Sequence, residues 1–168
     1  IYDSTIGWRF PNKKLTDKYY PYSMGETAEN VAKQWKISRH AQDEFAFSSQ
    51  QKYFAALAAG KWKDEIVPVE ITPNKTDKII FYVDEHPRKS SLEKLSRLKP
   101  AFIKEGTVTA GNSSGINDGA AMLLLANESA VKKSGLKSMA KVISMAVAGV
   151  DPAIMGIGPV LATRKALE

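Results

Sequence analysis

The chain has 168 residues, 43% of them hydrophobic, which is enough for a globular unit with a real core and suggests one domain plus part of another. No apolar run approaches the roughly 20 residues needed to span a bilayer, so no membrane role is expected. Cysteine is absent, which excludes disulfides and thiolate metal sites and leaves the compartment open. The formal charge is +6, but the lysines and arginines are dispersed with no run of five or six. That pattern suits a solvated surface, or the rim of a site for a phosphorylated cofactor, better than nucleic-acid binding.

No charged-apolar-small leader pattern is seen at the start, and Ile1 is not an initiator methionine. The expectation is an internal or trimmed segment, with the cytoplasm as the default compartment. Residues 1–23 hold Trp8, Phe10, Pro11, Tyr19, Tyr20, Pro21 and Tyr22 with little periodicity, and read as an irregular packed segment. From Met24, the positions Met24, Ala28, Val31, Ala32 and Trp35 follow helical spacing. Glu26 and Glu29 on this helix read as exposed capping aids. A second helix is predicted from an N-cap at Ser38 to about Ala59, stopping at Gly60. Its small face (Ala41, Phe45, Ser48, Ser49, Ala55, Ala56, Ala59) is expected to pack on another helix, with Asp43 and Glu44 favouring the macrodipole.

Ile66–Ile71 and Ile79–Val83 read as strands, the first an edge strand because of Pro68. Ser90-Ser-Leu-Glu93 reads as a capping box that opens a short helix ending before Pro100. Ala120–Ala126 and Ala140–Val147 are expected as buried strands. Between them Asn127 caps a helix that ends at Gly135, and Pro159 sits in the first turn of a last helix. The charged, loop-rich part gives way at about residue 116 to strand–helix–strand–helix, as a sheet covered on both faces requires.

Between these parts lies Gly106–Ala121, a loop with four glycines and the short polar side chains of Asn112, Ser113, Ser114, Asn117 and Asp118. It has no Gly-x-x-x-x-Gly-Lys-Ser/Thr and no Gly-x-Gly-x-x-Gly, so it is not a standard phosphate cradle. Asn117 and Asp118 are expected to fix the loop by Asx-type bonds. His40 and His86 are the only histidines, and neither has a nucleophile and carboxylate at a recognisable spacing. Both read as surface residues, and no metal site is expected. The residues alone reach a soluble α/β domain with a glycine-rich ligand loop.

Thr107–Ala121 (TVTAGNSSGINDGAA) resembles the coenzyme A-facing loop of the thiolases, acyltransferases that make or cleave 3-oxoacyl-CoA. Met24–Ala32 (MGETAENVA), Ser38–Ala46 (SRHAQDEFA), Lys63–Pro68 (KDEIVP), Arg97–Thr109 (RLKPAFIKEGTVT), Val150–Pro152 (VDP) and Met155–Glu168 (MGIGPVLATRKALE) are similar in the same order, so nearly the whole chain is covered. Asp3–Phe10 (DSTIGWRF) is also similar to the branch acting on 3-oxoadipyl-CoA.

The resemblance implies an α/β, thiolase-like layered fold. Residues 1–116 correspond to the inserted loop domain, 117–137 to the end of the N-terminal half, and 138–168 to the start of the C-terminal half. It implies that Ser114 hydrogen-bonds the pantetheine amide of coenzyme A, with Ala110 beside the same arm. Phe102, Met24 and Leu15 match apolar positions of the pantetheine tunnel, and Arg88 an arginine near the adenine and ribose. Taken as residues alone, Ser114 suits an ST-turn, the three apolar side chains core packing, and Arg88 a solvated loop. Ser23 departs from the family, which often has histidine there. The family's reacting cysteines and histidines lie outside the matched segments, so no catalytic residue is expected and the chain alone should be inactive. The implied partners are acyl-CoA and further copies in a dimer or tetramer. The rival readings are a non-catalytic CoA-binding or assembly module of a split enzyme and, more weakly, a basic nucleic-acid binder.

Overall fold

The computed structural model describes residues 10–73 and 77–168. Trp8 and most of Asp3–Phe10 therefore lie outside the described residues. The first helix, α1 (Lys13–Thr16), is a single turn where the sequence suggested irregular chain. Its cause is local: Asn12 Oδ1 accepts the Lys14 N–H at 2.9 Å, and Lys13 reaches Asp17 at 2.8 Å.

Helix α2 (Met24–Gln34) opens on a reciprocal cap. Ser23 Oγ accepts from the Glu26 N–H at 3.4 Å, and the Glu26 carboxylate accepts from the Ser23 N–H at 2.7 Å. Helix α3 (Arg39–Ala58) is capped by Ser38 and followed by Gly60 at φ 69°, a left-handed stop that the sequence placed correctly. The small face expected to pack does not: Ala41, Phe45, Ser49, Ala55 and Ala59 are exposed. Small side chains offer little area to bury, and α3 is instead fastened through Arg39. The Arg39 guanidinium donates to the carbonyls of Leu95 (2.7 Å) and Leu98 (3.0 Å) at the end of α4 (Leu92–Ser96). These are carbonyls that a helix end leaves without an internal partner. The cap of α4 is Ser91, not Ser90, its Oγ accepting from the Lys94 N–H.

Strands β1 (Val69–Ile71) and β2 (Ile79–Phe81) form an exposed antiparallel hairpin in the register Val69↔Phe81, Glu70↔Ile80, Ile71↔Ile79. Both are shorter than the sequence suggested. Pro68 has no N–H to extend the ladder beyond Val69. Helix α5 (Glu128–Ser134) runs as expected from its Asn127 cap to Gly135 at φ 66°. The chain closes with a 3-10 turn (Pro152–Ile157) and α6 (Gly158–Leu167). The turn packs on α2, where Asn30 Nδ2 donates to the Ala153 carbonyl at 2.9 Å.

The segments 120–126 and 140–147 form neither strand nor helix, contrary to expectation. Leu123 and Met145 are each 87% exposed. A strand needs a neighbour to take its N–H and C=O groups, and the hairpin is the only sheet among the described residues. Ser144 Oγ does donate to the Ala166 carbonyl of α6, which keeps helix and segment together. Buried apolar residues among those described are Ala32, Leu95 and Val108. The accessible surface is 14,894 Å², against roughly 8,200 Å² for a compact monomer of this mass.

Candidate functional site

The core that does form gathers under the glycine-rich loop, and it is polar. Thr109 is fully buried, Asp43 is 2% exposed and Glu29 6% exposed. Glu29 reaches the loop from the middle of α2. Its Oε1 accepts from the Thr107 N–H (2.8 Å) and the Val108 N–H (2.7 Å). Its Oε2 accepts from Thr107 Oγ1 (2.9 Å) and again from the Thr107 N–H (3.0 Å). Thr107 Oγ1 in turn accepts from Gln42 Nε2 at 2.9 Å, which fixes the direction of its own O–H toward Glu29.

Asp43 holds the other end from α3. Its Oδ2 accepts from Arg39 Nε at 2.8 Å and its Oδ1 from Asn112 Nδ2 at 3.0 Å. Asn112 bridges the loop, its Nδ2 donating to the Thr107 carbonyl (3.0 Å) and its Oδ1 accepting the Thr109 N–H (2.8 Å). The Asn112 N–H closes a turn on the Thr109 carbonyl at 3.3 Å. Ala110 and Gly111 are its central residues. A Cβ on Gly111 would lie 2.5 Å from Leu98 Cδ1 and 2.6 Å from Leu95 Cδ2, so the backbone lies directly on α4. Ala110, the other central residue of the turn, is exposed.

Ser113 and Ser114 divide the roles open to these serines. Ser113 Oγ donates to the Thr109 carbonyl at 2.6 Å, which is the ST-type bond. Ser114 is exposed and its hydroxyl makes no hydrogen bond among the described residues, leaving both donor and acceptor free. The Asx bonding expected of Asn117 and Asp118 is made by Asn112 instead, because only Asn112 sits between Thr107, Thr109 and Asp43. Glu29 likewise is no exposed capping aid; Glu26 alone does that.

Phe102 reaches the start of α2 at Gly25, the residue after Met24. The Phe102 ring lies flat on Gly25, where a Cβ would stand 2.2 Å from its Cγ and Cδ1. Met24 and Phe102 both remain partly exposed, Phe102 beside a shallow hollow of about 380 Å³ lined by residues 99–105. Leu15 is half-exposed on α1, and the structure gives it no tie to these two. Arg88 is exposed, and among the described residues its backbone N–H donates to Gln50 Oε1 of α3 at 2.9 Å.

The segment carrying Arg88 touches the loop through His86. A Cβ on Gly115 would meet His86 Cε1 at 2.6 Å, so the imidazole rests on the residue after Ser114. Upstream, Tyr53 donates to Asp84 at 3.4 Å. Desolvation, then the Asp84 charge and this bond, push the Tyr53 hydroxyl above its ordinary value of 10.0. His40 lies 3.4 Å from Glu44 on the exposed side of α3.

Glu29, Asp43 and Thr109 are site residues that the sequence reading missed, while Asn112 was named only as one of the loop's polar side chains. The available signal was the loop itself, since a glycine-rich segment entering a core must find acceptors for its N–H groups. Among the described residues no three His, Asp or Glu side chains gather as metal ligands, and no helix is long and apolar enough to cross a membrane.

Residues 8–129 match the family model described as the thiolase N-terminal domain. An acetyl-CoA acetyltransferase of Allochromatium vinosum is 52% identical over 155 residues, 92% of this chain and 39% of that protein. A beta-ketoadipyl-CoA thiolase of Pseudomonas aeruginosa is 53% identical over 169 residues, 100% of this chain and 42% of that protein. The crystal structure of the Bacillus anthracis acetyl-CoA acetyltransferase superposes with a TM-score of 0.81 at 48% identity, over 88% of this chain and 38% of that one. The chain thus spans about two-fifths of the length of the relatives it matches. Sequence and α/β fold agree over nearly all of its length, and this chain belongs to the thiolase family.

Proposed function

We propose that this chain is the coenzyme A-binding portion of a thiolase that makes or cleaves 3-oxoacyl-CoA. The observation that carries the reading is the pairing of a rigid, buried loop base with an exposed, uncommitted rim. Thr107–Asn112 is held by Glu29 and Asp43, while Ala110 and Ser114 face outward. In this reading Ser114 binds the pantetheine amide through its free hydroxyl, and Ala110 is small enough to let the arm pass. Met24 and Phe102 supply apolar wall, with Leu15 further along. Arg88 takes the adenine end, where a planar guanidinium can stack on the purine and reach a phosphate.

The chain provides binding and orientation in this scheme. Acyl transfer needs a thiolate nucleophile and donors for the thioester oxyanion, which in thiolases lie outside the segments matched here. Residues 1–116 act as the loop domain, 117–137 end the N-terminal half, and 138–168 begin the C-terminal half. Assembly as a dimer or tetramer and a cytoplasmic setting belong to the same reading.

Ser114→Ala in the intact enzyme tests it. CoA affinity should fall about tenfold, the scale of one lost ligand hydrogen bond, with the melting temperature unchanged. Unchanged CoA affinity would remove Ser114 from the site. A second reading, a non-catalytic CoA-binding or assembly module of a split enzyme, draws on the exposed apolar segments around Leu123 and Met145. CoA binding by the 168-residue chain without acyl transfer, with transfer restored by a complementing chain, would favour it.

A further inference from the structure

We propose that Glu29 and Asp43 are positioning residues for the coenzyme A loop, acting through Thr107 and Asn112 to set where Ser114 stands. The inference rests on the reading of Ser114 as a ligand contact. The two carboxylates come from different helices, α2 and α3, and grip the loop at residues five apart. Glu29 takes four donated bonds at its two oxygens, all between 2.7 and 3.0 Å. Only a carboxylate, acceptor at both oxygens, can take that set.

A glutamine at position 29 would turn one acceptor into an NH₂ donor. If that group faced Thr107 Oγ1, the hydroxyl would lose the acceptor for its own proton and the Thr107 N–H would confront a donor. If it faced the backbone, it would confront the N–H groups of Thr107 and Val108. Either way the loop base must shift. Ser114 lies directly beyond the turn that Asn112 and Ser113 lock to Thr109, so the shift passes to its hydroxyl. Asp43 is the second anchor, and Arg39 ties it to α4 as well, so the loop, α3 and α4 keep one register.

A merely structural role and a positioning role differ in how they couple to Ser114. The test is a double-mutant cycle on CoA affinity, by calorimetry with CoA itself, in the intact enzyme carrying this chain. Glu29→Gln should weaken CoA about tenfold, as loss of charge-assisted hydrogen bonds does. Ser114→Ala should remove most of that sensitivity, the double variant binding no worse than about twofold below the weaker single. Asp43→Asn should behave the same way.

Full additivity would overturn the proposal, as would a lowered melting temperature with CoA affinity unchanged. If Glu29→Gln does not fold, Thr107→Val serves in the same cycle. It removes the hydroxyl link to Glu29 and Gln42 and keeps both backbone bonds, and a loss of about threefold that vanishes in the Ser114→Ala background is expected. Should Ser114→Ala itself leave CoA affinity unchanged, the ligand reading fails. A Glu29 effect without a Ser114 effect would likewise overturn the positioning role.

Discussion

At the scale of single residues, two glycines show how closely the loop region is fitted. The ring of Phe102 occupies the place where a side chain at position 25 would begin. Gly25→Ala must therefore displace a partly buried aromatic ring, an overpacking worth about 1–3 kcal/mol. We expect a lower melting temperature and, if Phe102 lines the proposed CoA site, weaker CoA binding with it; a melt with CoA present and absent would show both. Gly115 is different. The atom in the way there is an edge of His86, an exposed side chain with room to swing. Gly115→Ala should change stability by no more than about 0.5 kcal/mol, the usual range for surface substitutions. If His86 is the only obstacle, adding His86→Ala should abolish even that change in a thermal melt. These contacts were not legible in the sequence, since neither spacing nor composition says that residues 25 and 102, or 86 and 115, meet. The sequence did single out Ser114, whose free hydroxyl is a feature of place as well as type. It misread Glu29, because a carboxylate in the second turn of a helix usually faces water, and here a loop 78 residues away covers it.

Among the elements, the capped helices and the two hairpin strands were legible, and the fate of 120–126 and 140–147 was not. The reason is where each finds its hydrogen bonds. A helix satisfies itself, so its caps suffice to announce it: Ser23 with Glu26, Ser38 with Gly60, and Asn127 with Gly135 all mark real ends. Ser23→Ala would remove one half of the reciprocal cap on α2. It should destabilise the protein by about 1 kcal/mol, measured as a shift in the denaturant midpoint at unchanged slope. A larger loss would mean that the α2 start carries tertiary weight as well, through Met24 and Gly25. Helix α1 escaped notice because four residues are too few for periodicity, and one asparagine cap decides them. The strands expected at 120–126 and 140–147 do not form, although the first segment is wholly apolar (Ala, Met, Leu) and the second carries Val142, Ile143 and Val147. What composition cannot supply is the neighbouring strand.

For the whole molecule, the surface area states the problem directly. The chain exposes 14,894 Å², nearly twice the roughly 8,200 Å² of a compact monomer of its mass. Much of the excess is apolar: Met122, Leu123, Leu124 and Leu125 follow one another, and Met139, Val142, Ile143, Met145 and Val147 are exposed close together in the chain. Patches of this kind on a soluble protein mark surfaces that another surface covers. Covering matter is what the relatives have in surplus, since each is more than twice as long as the part this chain matches. The arrangement makes a prediction that does not depend on any ligand. In the 168-residue chain alone, backbone amides of 120–126 and 140–147 should exchange with deuterium almost as fast as in an unfolded chain, for they have no ladder to protect them. Val108 and Thr109, buried under the polar knot, should exchange far more slowly. In a full-length thiolase containing this segment the two apolar stretches should be protected while Val108 and Thr109 change little. Slow exchange of 120–126 in the isolated chain would mean that it pairs with itself or another copy. The apolar face would then belong to self-association instead of to a larger thiolase sheet.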